Sequence, residues 1–250
     1  MSQDLLTMWQ IENLRFSVFL ARPTRPAPVD SWVDVAGHDA EDTRIKGTGE
    51  QRVVSQQGPF GGAVMRAEVR LERIDWHVLP AVPKNPSKRP TAGPYERLKD
   101  RFRDAMVAWL GAAHPVANRM AYGAVLSHRS GNRTDCLRVL DNLLSTVTVD
   151  PENTWDFDYS VNRRRVSKST DGLMINRLAK WSLGTEILGV LKVPASGGQA
   201  RMDTVTVNVP MLTLDINTDP ESRGPLNRPR ELSAELAALG TEIALEGDVP

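Results

Sequence analysis

Apolar and polar residues that alternate with a period of two predict most of the strands of this chain. Alternation of this kind places every second side chain on the same face of a strand. The pattern predicts strands at residues 10–20, 51–57, 64–79, 118–128, 154–161, 173–193 and 205–217. The 173–193 segment is long enough for one or two strands, and Pro210 is expected to break or bulge the last strand.

Two of these segments have faces of different character. In 64–79, Arg and Glu side chains make one face nearly all charged, which is typical of an antiparallel strand with one face in solvent. We expect this strand to pair with 51–57 across the glycine-rich turn at 58–62. In 154–161, four apolar or aromatic side chains alternate with polar ones, which predicts the most regular strand of the chain.

Three segments have the spacing of an amphipathic helix. Apolar residues in 95–110, 134–147 and 231–245 recur at intervals of three and four, which places them on one face of a helix. The first helix is the clearest, because Pro94 marks its start and Gly111 its end.

The order of these elements indicates the fold class. Strands cluster into meanders and do not alternate regularly with helices, so an α+β fold with a mainly antiparallel sheet is expected, with about three amphipathic helices packed on it. Proline-rich 21–30 and 80–94 are expected to be loops. We interpret the chain as one unit over 1–250, or as two similar sub-halves of about 1–115 and 116–250.

Composition limits the classes of function. The chain has 31 basic and 31 acidic side chains, so it has no overall field to attract nucleic acid or an anionic membrane. The single cysteine, Cys136, allows no internal disulfide, which fits a reducing compartment. No segment has the roughly 18 consecutive apolar residues of a membrane helix. We therefore expect a cytoplasmic protein without a membrane segment.

Nucleotide and metal motifs are incomplete. The GTGEQR run at 47–52 has Arg52 in place of the third glycine of a dinucleotide loop and leads into a strand, where that loop needs a helix. Asp215, Asn217 and Asp219 begin like a calcium loop, but neither its glycine nor its closing glutamate follows. An Asx-type turn after a strand explains these residues better, so no metal or other cofactor is predicted.

Nucleophilic catalysis is also poorly supported by the sequence. Cys136 lies near a predicted helix start, where the helix dipole would lower the pKa of its thiol, but a buried cysteine on a helix is the commoner case. None of the four histidines lies in a known catalytic motif. We therefore predict no catalytic residue.

A basic segment offers a candidate binding surface. From Val161 to Lys180 there are six cations against one acid, and the candidate residues are Arg163, Arg164, Arg165 and Lys168. We expect these four at an exposed hairpin tip, where they would bind phosphates or an acidic partner. Alternatively, the tip is only solvated, or it is neutralised by the acidic C-terminal segment, which has nine acids against three arginines from Asp203 onward.

The order of several segments resembles a known group of proteins. The LRFSVFL strand, the charged RAEVRLERIDWHV strand, the helix from Tyr95, the NRMAYGAV strand and LTLDIN before the last helix follow one another as in a sporadically distributed family of uncharacterised prokaryotic proteins, often encoded near mobile elements or phage-defence genes. The family's Arg-x-Gly-Leu-Arg-Tyr-Ile-Asn run is represented by Arg119 and a displaced Tyr122. The resemblance covers most of the chain and implies this genetic context, but no activity.

We expect a non-catalytic subunit or adaptor of a larger cytoplasmic assembly, in anti-phage defence or genetic conflict. Its partner would be another protein or a second copy of the chain. One alternative is a nucleic-acid-binding subunit that uses the basic hairpin. A second alternative is an enzyme whose catalytic residues are dispersed along the chain.

Overall fold

The computed structural model describes residues 9–82, 90–128, 131–192, 201–221 and 224–248. Ten strands in these residues form one sheet in which every pairing is antiparallel. The α+β class and the antiparallel sheet are therefore confirmed. The strands are β1 (Trp9–Leu20), β2 (Asp42–Lys46), β3 (Val53–Phe60), β4 (Ala63–Val69), β5 (Arg73–Leu79), β6 (Gly93–Pro94), β7 (Ala117–His128), β8 (Asp158–Val166), β9 (Met174–Lys192) and β10 (Arg201–Thr218). The helices are α1 (Trp32–Ala36), α2 (Tyr95–Ala113), α3 (Arg133–Leu143) and α4 (Pro229–Glu246).

The strand order follows a simple rule. It is β2-β3-β4-β5-β1-β7-β10-β9-β8, with the two-residue β6 paired to β1. The two central strands, β1 and β7, are each followed by a helix and by a meander that starts at an edge of the sheet. Each meander returns to its own central strand, and a long helix follows it.

One face of the sheet carries the core. Phe16 of β1 pairs with Trp76 of β5 on one side and with Tyr122 of β7 on the other, and all three side chains are buried. Leu137 of α3 and Leu236 of α4 belong to the same hydrophobic cluster. Since strands place alternate side chains on opposite faces, the helices cover this face and leave the other, the open face, to polar residues.

The segment predicted as one strand over 64–79 is in fact a hairpin. β4 and β5 pair with each other, and a turn at 70–72 separates them. The apolar face uses odd positions up to Val69 and even positions from Ile74, and one continuous strand cannot change its phase in this way. The two outward-facing rows of charged residues therefore lie side by side on the open face.

Two other boundaries differ from the prediction. The strand predicted over 154–161 begins only at Asp158 and continues to Val166, while Trp155 is 76% exposed. α3 ends at Leu143, four residues before the predicted end. α1, which the sequence pattern did not predict, is only five residues long.

β9 and β10 are long, and the register between them runs without interruption through Pro210. β8 pairs with β9 only up to Ser182, and β7 pairs with β10 only from Met211. Residues 184–192 and 201–209 therefore form a two-stranded segment, called the ribbon below, whose strands pair only with each other in the described part of the chain.

Several predicted loops lie partly or wholly outside the described residues. Of the proline-rich segment 80–94, residues 83–89 are not described, and the predicted loop tip at 196–199 is also outside the described ranges. The other proline-rich segment, 21–30, forms a loop before α1, as predicted. Among the described helices, none has both the length and the apolar composition that crossing a membrane requires.

Candidate functional site

The basic segment singled out from the sequence is divided between a strand and a turn. Arg163, Arg164 and Arg165 lie in the edge strand β8, and only Lys168 lies in the turn that follows. The expected position at a hairpin tip is therefore wrong for the three arginines. Because successive residues of a strand point to opposite faces, Arg163 and Arg165 lie on the helix side and Arg164 on the open face.

Arg163 is bound by a carboxylate from the end of the described chain. Its Nε and Nη2 donate hydrogen bonds to Asp248 at 2.8 and 3.0 Å. The hydroxyl of Tyr159 donates to the same carboxylate at 2.8 Å, and that of Thr146 also donates to it. Burial raises the pKa of Asp248, but the hydrogen bonds from Arg163, Thr146 and Tyr159 outweigh it, so the pKa is lowered.

A glycine turn after α4 brings Asp248 to this position. Gly247 has a φ of 76°, in the left-handed region that glycine adopts most easily. A Cβ at Gly247 would lie 1.9 Å from the carbonyl oxygen of Leu143, so no other residue fits without movement of the backbone. The backbone N–H of Asp248 donates to that same carbonyl at 2.9 Å.

A second carboxylate on α4 binds two further arginines. Glu242 accepts hydrogen bonds from Arg165 at 3.2 and 3.3 Å and from Arg177 of β9 at 2.9 Å. Only 3% of the Arg177 side chain is exposed. Burial lowers the pKa of Arg177, while the charge of Glu242 opposes that effect. Glu242 is therefore the counter-charge of a guanidinium that water scarcely reaches.

Of the two remaining candidate residues, Arg164 has an ion-pair partner and Lys168 has none among the described residues. Arg164 forms an ion pair with Asp219. Near Lys168, the carboxylate of Glu235 accepts hydrogen bonds from the backbone N–H groups of Lys168 and Ser169 at 2.7 and 3.1 Å. The Lys168 ammonium has no ion-pair partner among the described residues and is exposed. The acidic C-terminal segment thus neutralises the three arginines, which was one of the alternatives left open by the sequence.

The open face of the sheet is a second polar surface of the fold. Its central row consists of residues that are paired directly from strand to strand across nine strands. These residues are Asp42, Gln57, Arg66, His77, Arg15, Gly123, Asp215, Leu178 and Asn162.

Near the middle of this row, an arginine lies across a glycine. A Cβ at Gly123 would lie 3.4 Å from both Nε and Nη2 of Arg15, so the guanidinium occupies the space that a larger residue would fill. Nη2 of Arg15 is 4.0 Å from the Asp215 carboxylate, which is a long ion pair. The buried Nε of Arg15 has no hydrogen-bond partner in the described residues.

Beside this row, a carboxylate is buried on the open face. Asp75 accepts hydrogen bonds from Arg70 at 2.7 Å, from Arg73 at 2.8 Å and from the hydroxyl of Ser17 at 2.7 Å. Its side chain is only 3% exposed. The side chains of Arg70 and Arg73, which are 37% and 39% exposed, cover the carboxylate, so Asp75 itself has little contact with water.

A polar depression of about 260 Å³ opens on the same face over β2, β3 and β4. It is lined by Asp42, Arg44, Lys46, Val53, Ser55, Gln57, Arg66, Glu68 and Arg70. The sequence pattern did not single out these residues as a site. Alternation within each strand could have shown which of them share a face, but no sequence signal shows that three strands bring them together.

The rejected motifs have structural roles. Oδ1 of Asp219 accepts a hydrogen bond from the N–H of Glu221 at 3.0 Å, which is the predicted Asx-type turn. Cys136 is buried, and both ring nitrogens of His38 lie 2.8 Å from backbone carbonyl oxygens. In the described ranges, no three acidic, histidine or cysteine side chains are grouped closely enough to hold a metal ion.

Comparison with known proteins gives no further guidance. No protein-family model matches the chain, and no curated protein is similar to it in sequence. Function must therefore be inferred from the geometry of the chain itself.

Proposed function

We propose that the protein is a non-catalytic subunit of a protein assembly and that the ribbon contacts its partner. The partner would be a protein with an apolar contact surface. The sequence resemblance implies a phage-defence context, so phage-defence proteins are the first candidates for this partner.

The ribbon is the observation that carries this proposal. An isolated two-stranded hairpin is only marginally stable in water, and a third strand or a packed surface is needed to stabilise it. The two strands of the ribbon pair through nine residues each, without a third strand in the described part of the chain. A partner that packs against the ribbon would supply this stabilisation.

The composition of the ribbon supports a protein partner. Its described threonines, Thr185, Thr204 and Thr206, are exposed. Its sequence is otherwise rich in large aliphatic residues: Ile187, Leu188, Val190, Leu191, Val205 and Val207. An apolar segment of this size favours burial against another apolar surface, since each square ångström removed from water contributes about 25 cal/mol.

The nucleic-acid-binding alternative is not favoured. Arg163, Arg164 and Arg165 already bind carboxylates of this chain, so a phosphate would have to displace Asp248, Asp219 and Glu242. Only Lys168 of the candidate residues has an ammonium or guanidinium group that is not paired in the described structure. One cation contributes little to binding a polyanion.

The test removes the ribbon without disturbing the sheet. Thr185 and Asn208 are partners in the register, so replacing residues 186–207 with Asn-Gly closes the hairpin with a two-residue turn. We expect this variant to keep its circular dichroism spectrum and to lose the partner that copurifies with the wild-type protein from the native host.

Point variants provide the matched control. Leu188→Ser with Val190→Ser should reduce copurification, whereas Thr204→Ser with Thr206→Ser should not. Multi-angle light scattering would identify a partner that is a second copy of the chain. If the shortened, folded protein still retains its partner, the ribbon is not the contact and the proposal is wrong.

We also infer that the segments 1–115 and 116–250 are related halves. The support is their shared order of central strand, helix, meander and long helix. If so, β1 with α2 should superpose on β7 with α4. Unrelated crossing angles of the two helices over their strands would contradict this inference.

A further inference from the structure

We propose that the depression over β2, β3 and β4 binds a small phosphomonoester. This inference goes beyond the proposed function and does not depend on it, because the depression lies on the open face and the ribbon forms no part of it.

The lining of the depression carries more positive than negative charges. Its two carboxylates already have cationic partners, because Asp42 pairs with Arg44 at 2.6 Å and Glu68 pairs with Arg70 at 2.7 Å. The other two cations, Lys46 and Arg66, have no ion-pair partner in the described part of the chain. The lining therefore has two uncompensated positive charges.

Hydrogen-bond donors accompany these charges. Arg66 donates through Nε and Nη2 to Oε1 of Gln57, at 3.3 and 3.0 Å, which leaves its Nη1 available. The Nε2 group of Gln57 and the hydroxyl of Ser55 have no partner among the described residues. The ammonium of Lys46, whose partner in the register is Val53, adds a further donor at the other end of the depression.

A phosphomonoester matches this arrangement in charge and chemistry. Its group carries a charge of about −1.5 to −2 at neutral pH and has three strong acceptor oxygens. Arginine donors bind such oxygens with charge-assisted hydrogen bonds. A volume of about 260 Å³ accommodates a small molecule.

A nucleic acid strand is a poorer match. The central row of the open face, which includes Arg66, also contains the carboxylate of Asp215, which would repel a continuous line of phosphates. The two uncompensated charges of the lining are enough for one phosphate group, so a ligand with one phosphate is favoured over a polyanion.

Isothermal titration calorimetry with inorganic phosphate and glycerol 3-phosphate tests this inference. We expect the wild-type protein to bind both probes. Lys46→Ala and Arg66→Gln should each raise the dissociation constant by about tenfold or more, as expected for the loss of a charged hydrogen bond. Lys46 is exposed on an edge strand, so its replacement should leave the melting temperature unchanged.

Arg103→Ala is the matched control, because Arg103 is a paired cation on α2 outside the depression and its loss should not change the affinity. No binding of either probe, or equal binding by wild type and by both variants, would overturn the proposal. Succinate that binds as tightly as glycerol 3-phosphate would overturn the assignment to phosphate. The same holds for an oligonucleotide that binds through Arg66 when glycerol 3-phosphate does not.

Discussion

The guanidinium of Arg163 and the carboxylate of Asp248 form a two-point hydrogen-bonded pair, although the two residues are 85 positions apart in the sequence. The pair joins the edge strand β8 to the chain just beyond α4. Because only 1% of the Asp248 side chain is exposed, this contact fastens the last helix to the sheet with little competition from water.

Asp248→Asn should lower the free energy of unfolding by about 2 kcal/mol, because it removes the charge that Arg163, Tyr159 and Thr146 surround. Urea denaturation measures the change. The control is Asp104→Asn, which removes an exposed carboxylate from an ion pair with Arg103 and should change stability by less than about 0.5 kcal/mol. Equal effects of the two variants would show that the Asp248 contact stabilises the fold no more than an exposed ion pair does.

This stabilisation should depend on pH in one direction. The pKa of Asp248 is lowered in the folded protein, so its ionised form stabilises the fold above the ordinary aspartate pKa of about 3.9. The contribution is lost as the pH falls through the lower folded-state pKa. The difference in unfolding free energy between wild type and Asp248→Asn should therefore have its full size at neutral pH and disappear in strong acid.

Glu242→Gln should destabilise the protein by about 3 kcal/mol, because Arg177 is left charged and nearly buried. Chemical denaturation of the single variant and of Glu242→Leu with Arg177→Met provides the test. Removing both partners restores part of the stability, since the buried charge is gone. A double variant less stable than Glu242→Gln would argue against this role of Glu242.

Lys168→Ala should leave both the melting temperature and the retention on a nucleic-acid column unchanged. By contrast, replacing Arg163, Arg164 and Arg165 together should lower the melting temperature, because each arginine binds a carboxylate of the same chain. Differential scanning calorimetry distinguishes the two results. A triple variant as stable as wild type would indicate that these pairs do not persist in solution.

The pKa values of His38 and His77, measured by NMR titration, should be shifted in opposite directions from the ordinary histidine value. Hydrogen bonds to the carbonyls of Asp39 and Pro59 raise the pKa of His38, whereas burial lowers the pKa of His77. The stability that His38 contributes is present below about pH 6.5 and is lost as the pH rises through its higher folded-state pKa. His77 titrating above His38 would contradict both environments.

Phe102→Asp and Leu140→Asp should each unfold the protein, because both side chains are fully buried in the core and an isolated carboxylate there has no partner. Glu72→Ala should stay within about 0.5 kcal/mol of wild type, since this side chain is exposed. Circular dichroism of the purified variants shows the difference. If the Phe102→Asp protein were folded, Phe102 could not be buried in the core, and the position of α2 given above would be wrong.

The local pattern predicted what depends on neighbours in the chain. Phe102, Met106 and Trp109 recur at helical spacing and are buried on α2. The strand predicted over 118–128 agrees with β7 to within one residue. The pattern in 64–79 also contains the hairpin, because the apolar positions change from odd at Val69 to even at Ile74.

The sequence by itself determined the composition of the faces: a period of two or of three to four decides which side of each element is apolar, and burial of that side follows from the hydrophobic effect. Only the tertiary structure decided which charges meet. Arg163 and Asp248 meet because the glycine turn after α4 brings the chain back to the edge strand β8, and no local period records that contact. The basic segment was therefore visible in the sequence, but its neutralisation by the C-terminal carboxylates was decided by the fold.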